Sequence, residues 1–509
     1  MKFSEFYQKG RVLFLSVLLA SSTILLSSCG GKGGGTDPIA PDPKPTPSAS
    51  TECDLQTFQF KAISNPSIKT DASATIATIQ ERNLILITVP EGTDLTKLVA
   101  TVSVSNGATV KINGSAATSG VTAANYTKDT DVTVTAEDGK HSKKYFALVR
   151  HGDANADAQV YAIMKKYNIP GIGVATTKNE KPAYEAGYGY AVLDNSPWTR
   201  TTPTTLFRLA SVSKFQCALC IMTLYEEGKL SMEDKVFAPA DPDRGRPEGV
   251  LYSKYPGPHA SGVDDITIHQ LLTHTTGWNY NLTGGTDPIF PGSDSRFAGK
   301  NLNARVEYML SISPGSKTYS YYNLGYCILG QIIEQITGGT YEDYLRKVEA
   351  KAGVTDVWIA KSDKSGRRSN ECAYYAQYGG TAYGNDMNVV AACGAVINSP
   401  VGLMKLVNAI DYGTVVPDIL SKETLDKVYT NYTSSGKGGY GYGWRIGHNT
   451  LNWASYHGGN INGTATIIVR GNNGVNGVLL CNSRNGNDGF DTALYVALDA
   501  VMQRVNLLY

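Results

Sequence analysis

The hydrophobic pattern of this chain changes character near residue 150, and no single layered architecture accommodates both patterns. From residue 54 to about 150, short alternating runs (LILITV, LVATVSV, ATVKI, DVTVTA) are separated by turn signals (PEGTD, SNG, INGS, EDGK), without helical periodicity. Such a pattern predicts a small all-β sandwich over 54–150. From about residue 153 the pattern is mixed. ANADAQVYAIMKKYNI reads as a helix, and GIGVATTK with KPAYEAGYGYAVL as a strand pair. YNLGYCILGQIIEQITGG and YEDYLRKVEAKAG read as helices stopped by glycine, TATIIVRGNNGVNGVLLCNS as a hairpin, and DGFDTALYVALDAVMQRV as a closing helix. Strands at both ends with helices between them predict an α+β domain over 151–509 whose antiparallel sheet joins its N- and C-terminal segments beside a helical region. A length of 509 residues suits such a multidomain chain.

Within the second unit, Ser211-Val212-Ser213-Lys214 follows an extended approach segment, TTPTTLFRLA, and precedes the apolar helical positions Phe215, Leu219 and Met222. A hydroxyl and an amine three residues apart share one face only on a helix. Ser211 then sits near a helix N-terminus, where free N–H groups and the dipole favour a developing anion. The same surroundings are expected to depress the Lys214 pKa, leaving a neutral amine to take the Ser211 proton. Taken alone, these residues also fit an N-capping serine followed by a solvated lysine. The spacing recurs at Ser434 to Lys437, inside the glycine-rich SSGKGGYGYG, which is a poor helix former.

The N-terminus carries Lys2, Lys9 and Arg11 before the apolar runs VLFLSVLLA and TILL, the pattern of a signal segment over 1–28. Leu26-Ser27-Ser28-Cys29 resembles a bacterial lipobox, which makes Cys29 the expected lipid-modified residue. The Gly- then Pro-rich stretch 29–53 reads as a tether. These features predict an envelope protein anchored to a membrane by lipid, facing the periplasm rather than the cell surface, since no acidic run follows Cys29. A net charge of +1 gives no case for nucleic acid. Of the eight cysteines, Cys217 and Cys220 are expected to pack as small apolar residues, and Cys372 with Cys393 is the first pair to test for a bridge. No Cys or His cluster has zinc spacing, and His269 with His274 is one residue too long for a helical HxxxH face. Neither metal nor cofactor is expected, and the oligomeric state is open.

Tyr321-Tyr322-Asn323 before LGYCILGQIIE, and His457-Gly458-Gly459 before ATIIVR, join the SVSK segment in an ordered series. Together with LLTHTTGW and GYGYGW, the series resembles the serine β-lactamase and penicillin-binding protein superfamily, in its class C-like branch that includes esterases and D-aminopeptidases. The likeness spans about residues 155–505. The 54–150 unit, through ITVPEGTDLTKL and TAEDGKHSKKYFALV, resembles the immunoglobulin-like modules of Bacteroidetes surface lipoproteins and is assigned as a spacer or an adhesion module. The superfamily resemblance implies Ser211 as nucleophile, Lys214 as its activator and Tyr321 as proton shuttle, helped by cationic neighbours such as Lys214 and His457. It also implies that Asn323 offers its amide to a substrate carbonyl while orienting Lys214. His457, Gly458 and Gly459 form the substrate-binding edge, with the N–H groups of Ser211 and Asn460 as oxyanion hole. His274 reads as structural support.

Two departures bear on substrate. His457 stands where β-lactamases carry lysine, and Gly458 replaces the hydroxyl residue of their KTG, which moves the expectation away from β-lactams. The long segment 237–265 is expected to shape the cleft. The resulting expectation is a serine hydrolase forming an acyl-enzyme on an ester or amide, of esterase, D-aminopeptidase or DD-peptidase type, with peptidoglycan-derived peptides among the candidate substrates. A catalytically silent envelope-ligand binding protein and a plain β-lactamase are the alternatives.

Overall fold

The LILITV run of the first unit is apolar on both faces, and the computed structural model explains why. The structure describes residues 48–194, 197–377, 379–434 and 436–508. The signal segment, Cys29 and most of the 29–53 tether lie outside the described residues. Strands β1 (Leu55–Phe60), β2 (Arg82–Val89), β3 (Leu98–Val104), β4 (Thr130–Thr135) and β5 (Ser142–His151) carry the β-rich unit in two sheets. β1 pairs antiparallel with β3; β5 runs parallel to β2 and antiparallel to β4. Ile85, Ile87 and Val89 of β2 fill the core between these sheets. Leu84 and Leu86, on its other face, pack with Val160, Tyr161 and Met164 of helix α1 (Ala154–Tyr167). A strand buried on both faces loses the apolar/polar alternation of a solvated sheet, as the run shows.

Only Gly152 and Asp153 separate β5 from α1, and the Asp153 carboxylate caps that helix by accepting from the N–H groups of Asn155 and Ala156, each at 2.9 Å. Asp157, fully buried in the first turn, pairs with Arg150 of β5 and accepts hydrogen bonds from Thr88 of β2 and from the hydroxyls of Tyr184 and Tyr188. A buried carboxylate is tolerated when it is paired and fully hydrogen-bonded. The spacer or adhesion module expected from sequence is thus joined to the second unit by a shared core and a buried ion pair, and residues from Ala49 onward form one compact unit.

The second unit is built on an antiparallel sheet whose central order is β7–β6–β11–β10–β9–β8. Its strands are β6 (Gly171–Lys178), β7 (Lys181–Val192), β8 (Arg445–Ile446), β9 (Trp453–Ile461), β10 (Thr464–Gly471) and β11 (Val475–Cys481). N- and C-terminal strands meet where Val174 of β6 lies opposite Leu479 of β11. α1 and α7 (Phe490–Leu508) cover one face. The other face looks on a helical region containing α2 (Ser213–Glu226), α3 (Ile268–Thr273), α4 (Leu302–Leu310), α5 (Asn323–Thr337) and α6 (Tyr341–Glu349). α5 ends at Gly338 in the left-handed conformation, the stop signalled by its glycines.

One local expectation changes: the first cysteine pair to test is not bridged. Cys372 and Cys393 are both free and buried, as are Cys217 and Cys220. The Cys372 N–H bonds to the Leu206 carbonyl, whereas the Cys393 carbonyl lies under Lys214. Segment 237–265 packs against helices, through Tyr255 Oη donating to Gln331 of α5 at 2.8 Å and Ala260 N–H donating to the Leu310 carbonyl of α4. Ser434 and Lys437, the second copy of the serine-lysine spacing, both lie outside helices, as their glycine-rich setting implies.

Glu349 closes α6 without solvent exposure, accepting from Gln216 Nε2 of α2 (2.5 Å) and Asn398 Nδ2 (3.0 Å). Burial outweighs both hydrogen bonds and pushes its carboxyl from 4.5 up to about 8. The folded protein then holds a proton that the unfolded chain has released. The stabilising contribution is complete below about pH 4.5 and is lost as pH rises to about 8, at about 1.4 kcal/mol per pH unit. Glu349→Gln should flatten this dependence, so that thermal melts between pH 5 and 9 favour the variant progressively as pH rises. Parallel curves for the two proteins would show that Glu349 is ionised in the fold.

Candidate active site

Ser211 lies in a single 3₁₀ turn, Ala210–Val212, which runs directly into α2. Ala210 takes a left-handed φ of 47°, an uncommon conformation for a residue with a Cβ, and it immediately precedes the serine. One turn further on, Lys214 is fully buried. Its Nζ donates to Ser211 Oγ (3.2 Å), to Asn323 Oδ1 (2.8 Å) and to the Cys393 carbonyl (2.9 Å). The helical spacing therefore does bring hydroxyl and amine together. Gly443 (φ 79°) of GYGYGW allows its backbone to lie against α2 at this point, since a Cβ there would sit 2.6 Å from Phe215 Cα and 2.9 Å from the Lys214 carbonyl oxygen.

The expected direction of the Lys214 shift is reversed. Desolvation lowers its pKa, but the nearby Tyr321 oxygen and the Cys393 and Cys327 sulfurs overcome it, and the group is held above its ordinary value. Three acceptors for three N–H donors agree with a resident ammonium. The Tyr321 ring centroid is 4.9 Å from Lys214 Nζ, and its hydroxyl is buried without a hydrogen-bond partner of ordinary geometry among the described residues.

Asn323 is the first residue of α5, with Tyr322 rather than Asn323 at the N-cap. Its Oδ1 accepts from Lys214, while its Nδ2 donates to Asp287 Oδ2 at 2.7 Å. One of the two amide hydrogens expected to meet a substrate carbonyl is thus committed to a carboxylate, and the other faces Tyr280 Oη at 3.4 Å. Asp287 lies in the loop after LLTHTTGW, which sequence reasoning passed over; its only signal is the turn-like GGTDP.

His274 adopts a left-handed φ of 58° and accepts from the Tyr322 N–H through Nδ1 (3.2 Å), while its carbonyl accepts from the Ser320 N–H. Its ring lies 4.5 Å from that of Tyr321. Burial, with Lys214 close by, holds its pKa well below the ordinary histidine value, which fits a structural support for the tyrosine segment.

His457 takes a part different from the one expected. Its Nδ1 lies 2.7 Å from the Gly458 carbonyl, an acceptor only, so Nδ1 carries the proton and Nε2 accepts from Tyr440 Oη at 2.9 Å. Desolvation, followed by Lys214 and Arg445, keeps it neutral by holding its pKa well below the usual range. It therefore supplies no charge to Tyr321 and has no free N–H for a substrate. The permanent cation on this side is Arg445 of β8, half-buried, 5.9 Å from the Tyr321 ring centroid and without an ion-pair partner among the described residues. Arg445 follows GYGYGW directly, so the motif flagged its neighbourhood but not its role.

The glycines of HGG serve close approach. A Cβ on Gly458 would lie 2.5 Å from Tyr495 Oη, so the phenol of α7 occupies the space of the family's hydroxyl residue. A Cβ on Gly459 would lie 2.3 Å from both the Leu209 carbonyl oxygen and Thr466 Oγ1, and 3.1 Å from the Ser211 nitrogen. β9 thereby presses against the serine turn. Asn460 stands opposite Ala465, one step from the Ile461–Thr464 pair that closes the hairpin. The alternation of an antiparallel ladder then turns the Asn460 N–H away from β10. Its side chain is exposed and donates to Asp491. Among the described residues no group of His, Cys, Asp and Glu is arranged to hold a metal ion.

Comparison with known proteins gives this arrangement a lineage. The family described as Beta-lactamase matches residues 156–502, and the family described as SGBP, N-terminal, matches residues 63–149. Protein flp of Staphylococcus aureus (strain MW2) is 28% identical over 220 residues, covering 42% of this chain and 37% of its own, so the chain spans little more than a third of that relative's length. A class C β-lactamase structure aligns over 69% of this chain and 95% of its own, with a TM-score of 0.54 and 19% identity. The D-amino acid amidase of Ochrobactrum anthropi SV3, complexed with L-phenylalanine amide, aligns over 69% and 99%, with a TM-score of 0.53 and 19% identity. At such identities the two structures establish the fold alone. With the family match covering more than half of its length, the chain belongs to the Beta-lactamase family.

Proposed function

We propose that the protein is an envelope-anchored serine hydrolase that cleaves an ester or amide through an acyl-enzyme at Ser211. The observation that carries this reading is the Lys214 ammonium, which bonds Ser211 Oγ and Asn323 Oδ1 together while lying against the Tyr321 ring. Ser211 Oγ attacks the carbonyl carbon, and as its proton passes to the Tyr321 oxygen the phenol's own proton moves on toward the leaving group, because Lys214 already carries all its protons and cannot accept one. The Lys214 charge supports negative charge on the tyrosine oxygen during transfer. The carbonyl oxygen draws on the Ser211 and Asn460 N–H groups. The phenol's proton reaches the leaving amine or alkoxide as the C–N or C–O bond breaks, and water then hydrolyses the acyl-enzyme by the same route.

The third motif supports a substrate other than a β-lactam. With His457 neutral, a carboxylate on the leaving-group side falls to Arg445, which bonds carboxylates in a fixed planar fork. The D-amino acid amidase among the structural relatives fits amide hydrolysis of this kind. Envelope location and the lipid anchor at Cys29 rest on the N-terminal sequence.

Four outcomes test the site. Ser211→Ala should abolish labelling by a fluorophosphonate probe, and labelling that survives assigns the nucleophile elsewhere. Tyr321→Phe should lower kcat by about 10²- to 10⁴-fold in hydrolysis of an ester panel; activity within a few-fold of the parent would remove the proposed shuttle. Gly459→Ala should cost about 10²- to 10³-fold in kcat by displacing the serine turn from the oxyanion N–H groups, whereas unchanged kinetics would mean that β9 does not form the hole. The depressed histidines should leave kcat/KM without a histidine limb between pH 6 and 8. A limb in that window removed by His457→Gln would show that His457 titrates.

A further inference from the structure

We infer that Asp287 is the specificity residue on the acyl side of the cleft and receives a substrate ammonium beside the reacting carbonyl. The preferred substrates would then be amides or esters of amino acids and short peptides with a free amino terminus. This inference rests on the proposed serine-hydrolase reading.

The position of the carboxylate is fixed at both oxygens. Oδ2 accepts from Asn323 Nδ2 (2.7 Å) and Tyr280 Oη (3.1 Å), while Oδ1 accepts from the Ile289 N–H (2.9 Å). The loop that carries it is held from outside. Arg305 of α4 donates to the Pro288 carbonyl (2.7 Å), the Ile289 carbonyl (3.1 Å) and the Lys300 carbonyl (2.8 Å), and Arg296 donates to the Thr283 carbonyl (2.7 Å). Asp287 is therefore held in place before any substrate arrives.

Its charge is met by no direct ion pair, although the Arg305 guanidinium on the neighbouring carbonyls acts on it at longer range. Asp287 is half-buried and has no ion-pair partner among the described residues; it reaches the Lys214 ammonium only through the Asn323 amide. A partly desolvated carboxylate beside a reaction cleft gains most from a cation that the substrate brings. From Ser211 Oγ, hydrogen bonds of 3.2, 2.8 and 2.7 Å lead through Lys214 and Asn323 to this carboxylate, whereas Arg445 meets the site through the Tyr321 ring, and the proposal assigns the Asn323 side to the acyl group.

The same contact selects against N-acylated substrates. An acylamino group would bring a carbonyl oxygen to Asn323, where one Nδ2 hydrogen is given to Asp287 and the other faces Tyr280 Oη at 3.4 Å, so that the oxygen meets the carboxylate in place of an unengaged donor. Discrimination thus combines an attractive element for the ammonium with a repulsive one for the amide carbonyl.

The rival role for Asp287 is positioning: it would orient Asn323, and through it Lys214, whatever the substrate. Matched aminoacyl p-nitroanilides, with a free amino group or N-acetylated and in both enantiomers, separate the two. The parent enzyme should favour the free amine, and Asp287→Asn should shift the ratio of kcat/KM values toward the N-acetyl substrate by about ten- to a hundredfold, chiefly through KM. In the parent, KM for the free-amine substrate should rise as pH passes the amine pKa of about 8, while the N-acetyl substrate shows no such rise. A parental preference for the N-acetyl substrate, a parallel fall in kcat for both substrates in Asp287→Asn, or loss of fluorophosphonate labelling in that variant would each overturn the inference. Hydrolysis that persists in Ser211→Ala would instead overturn the underlying hydrolase reading.

Discussion

The chemistry of this fold depends on keeping one ammonium charged and out of water. Lys214 is fully buried, and moving an isolated ammonium into such a place costs several kcal/mol. The cost is offset by acceptors from three separate segments: the serine turn, the first residue of α5 and the main chain at Cys393. None of these partners carries a full charge of its own. One carboxylate, Asp287, acts at one remove through the Asn323 amide. Shifting any one segment would leave an N–H of the ammonium without a partner, so the placement of α2 against α5 and the 391–398 region follows from the needs of this charge as much as from apolar packing.

A second buried charge pair sets the relation of the β-rich unit to the rest. Asp157 and Arg150 lie at the joint where β5 becomes α1, ringed by Thr88, Tyr184 and Tyr188. Hydrogen bonds from both units converge on one carboxylate, so separating the units would strand it. Leu84 and Leu86 would lose their cover in the same event. The β-rich unit is therefore part of the scaffold behind the central sheet, on the face away from the serine.

Much of this was readable in the chain because local and tertiary demands agree. The α1 pattern, the glycine stop of α5 and the GNNG hairpin follow rules that act within a few residues, and the fold keeps all three. Ser211 and Lys214 were legible for the same reason: helical spacing brings their side chains together before any tertiary contact forms. The failures share a different cause. The charge state of Lys214 depends on Asn323 and Cys393, which are distant in sequence. The neutrality of His457 depends on Tyr440 and on its own neighbouring carbonyl. Asp287 lies in a loop whose composition suggests only a turn, and its importance arises from where Arg305 and Arg296 hold it. β2 was grouped with the alternating strands although its apolar run is unbroken, and neither its burial on both faces nor the identity of the covering element was anticipated.

The substitutions in the third motif take on meaning once the charges are mapped. A lysine at position 457 would place a second ammonium close to Lys214 in a region that already holds Arg445, and like charges at short range in a desolvated site are costly. Neutral His457, tied at both ring nitrogens, avoids that repulsion and leaves Arg445 as the cation of the β8 side. Tyr495 fills the space that a residue larger than Gly458 would need. The two departures from the β-lactamase pattern are thus linked through packing and charge. The site that results has a cation, Arg445, on β8 beside the Tyr321 ring and an anion, Asp287, in the loop that bonds the first residue of α5. A substrate with opposite charges at its two ends suits that field better than one with a single carboxylate.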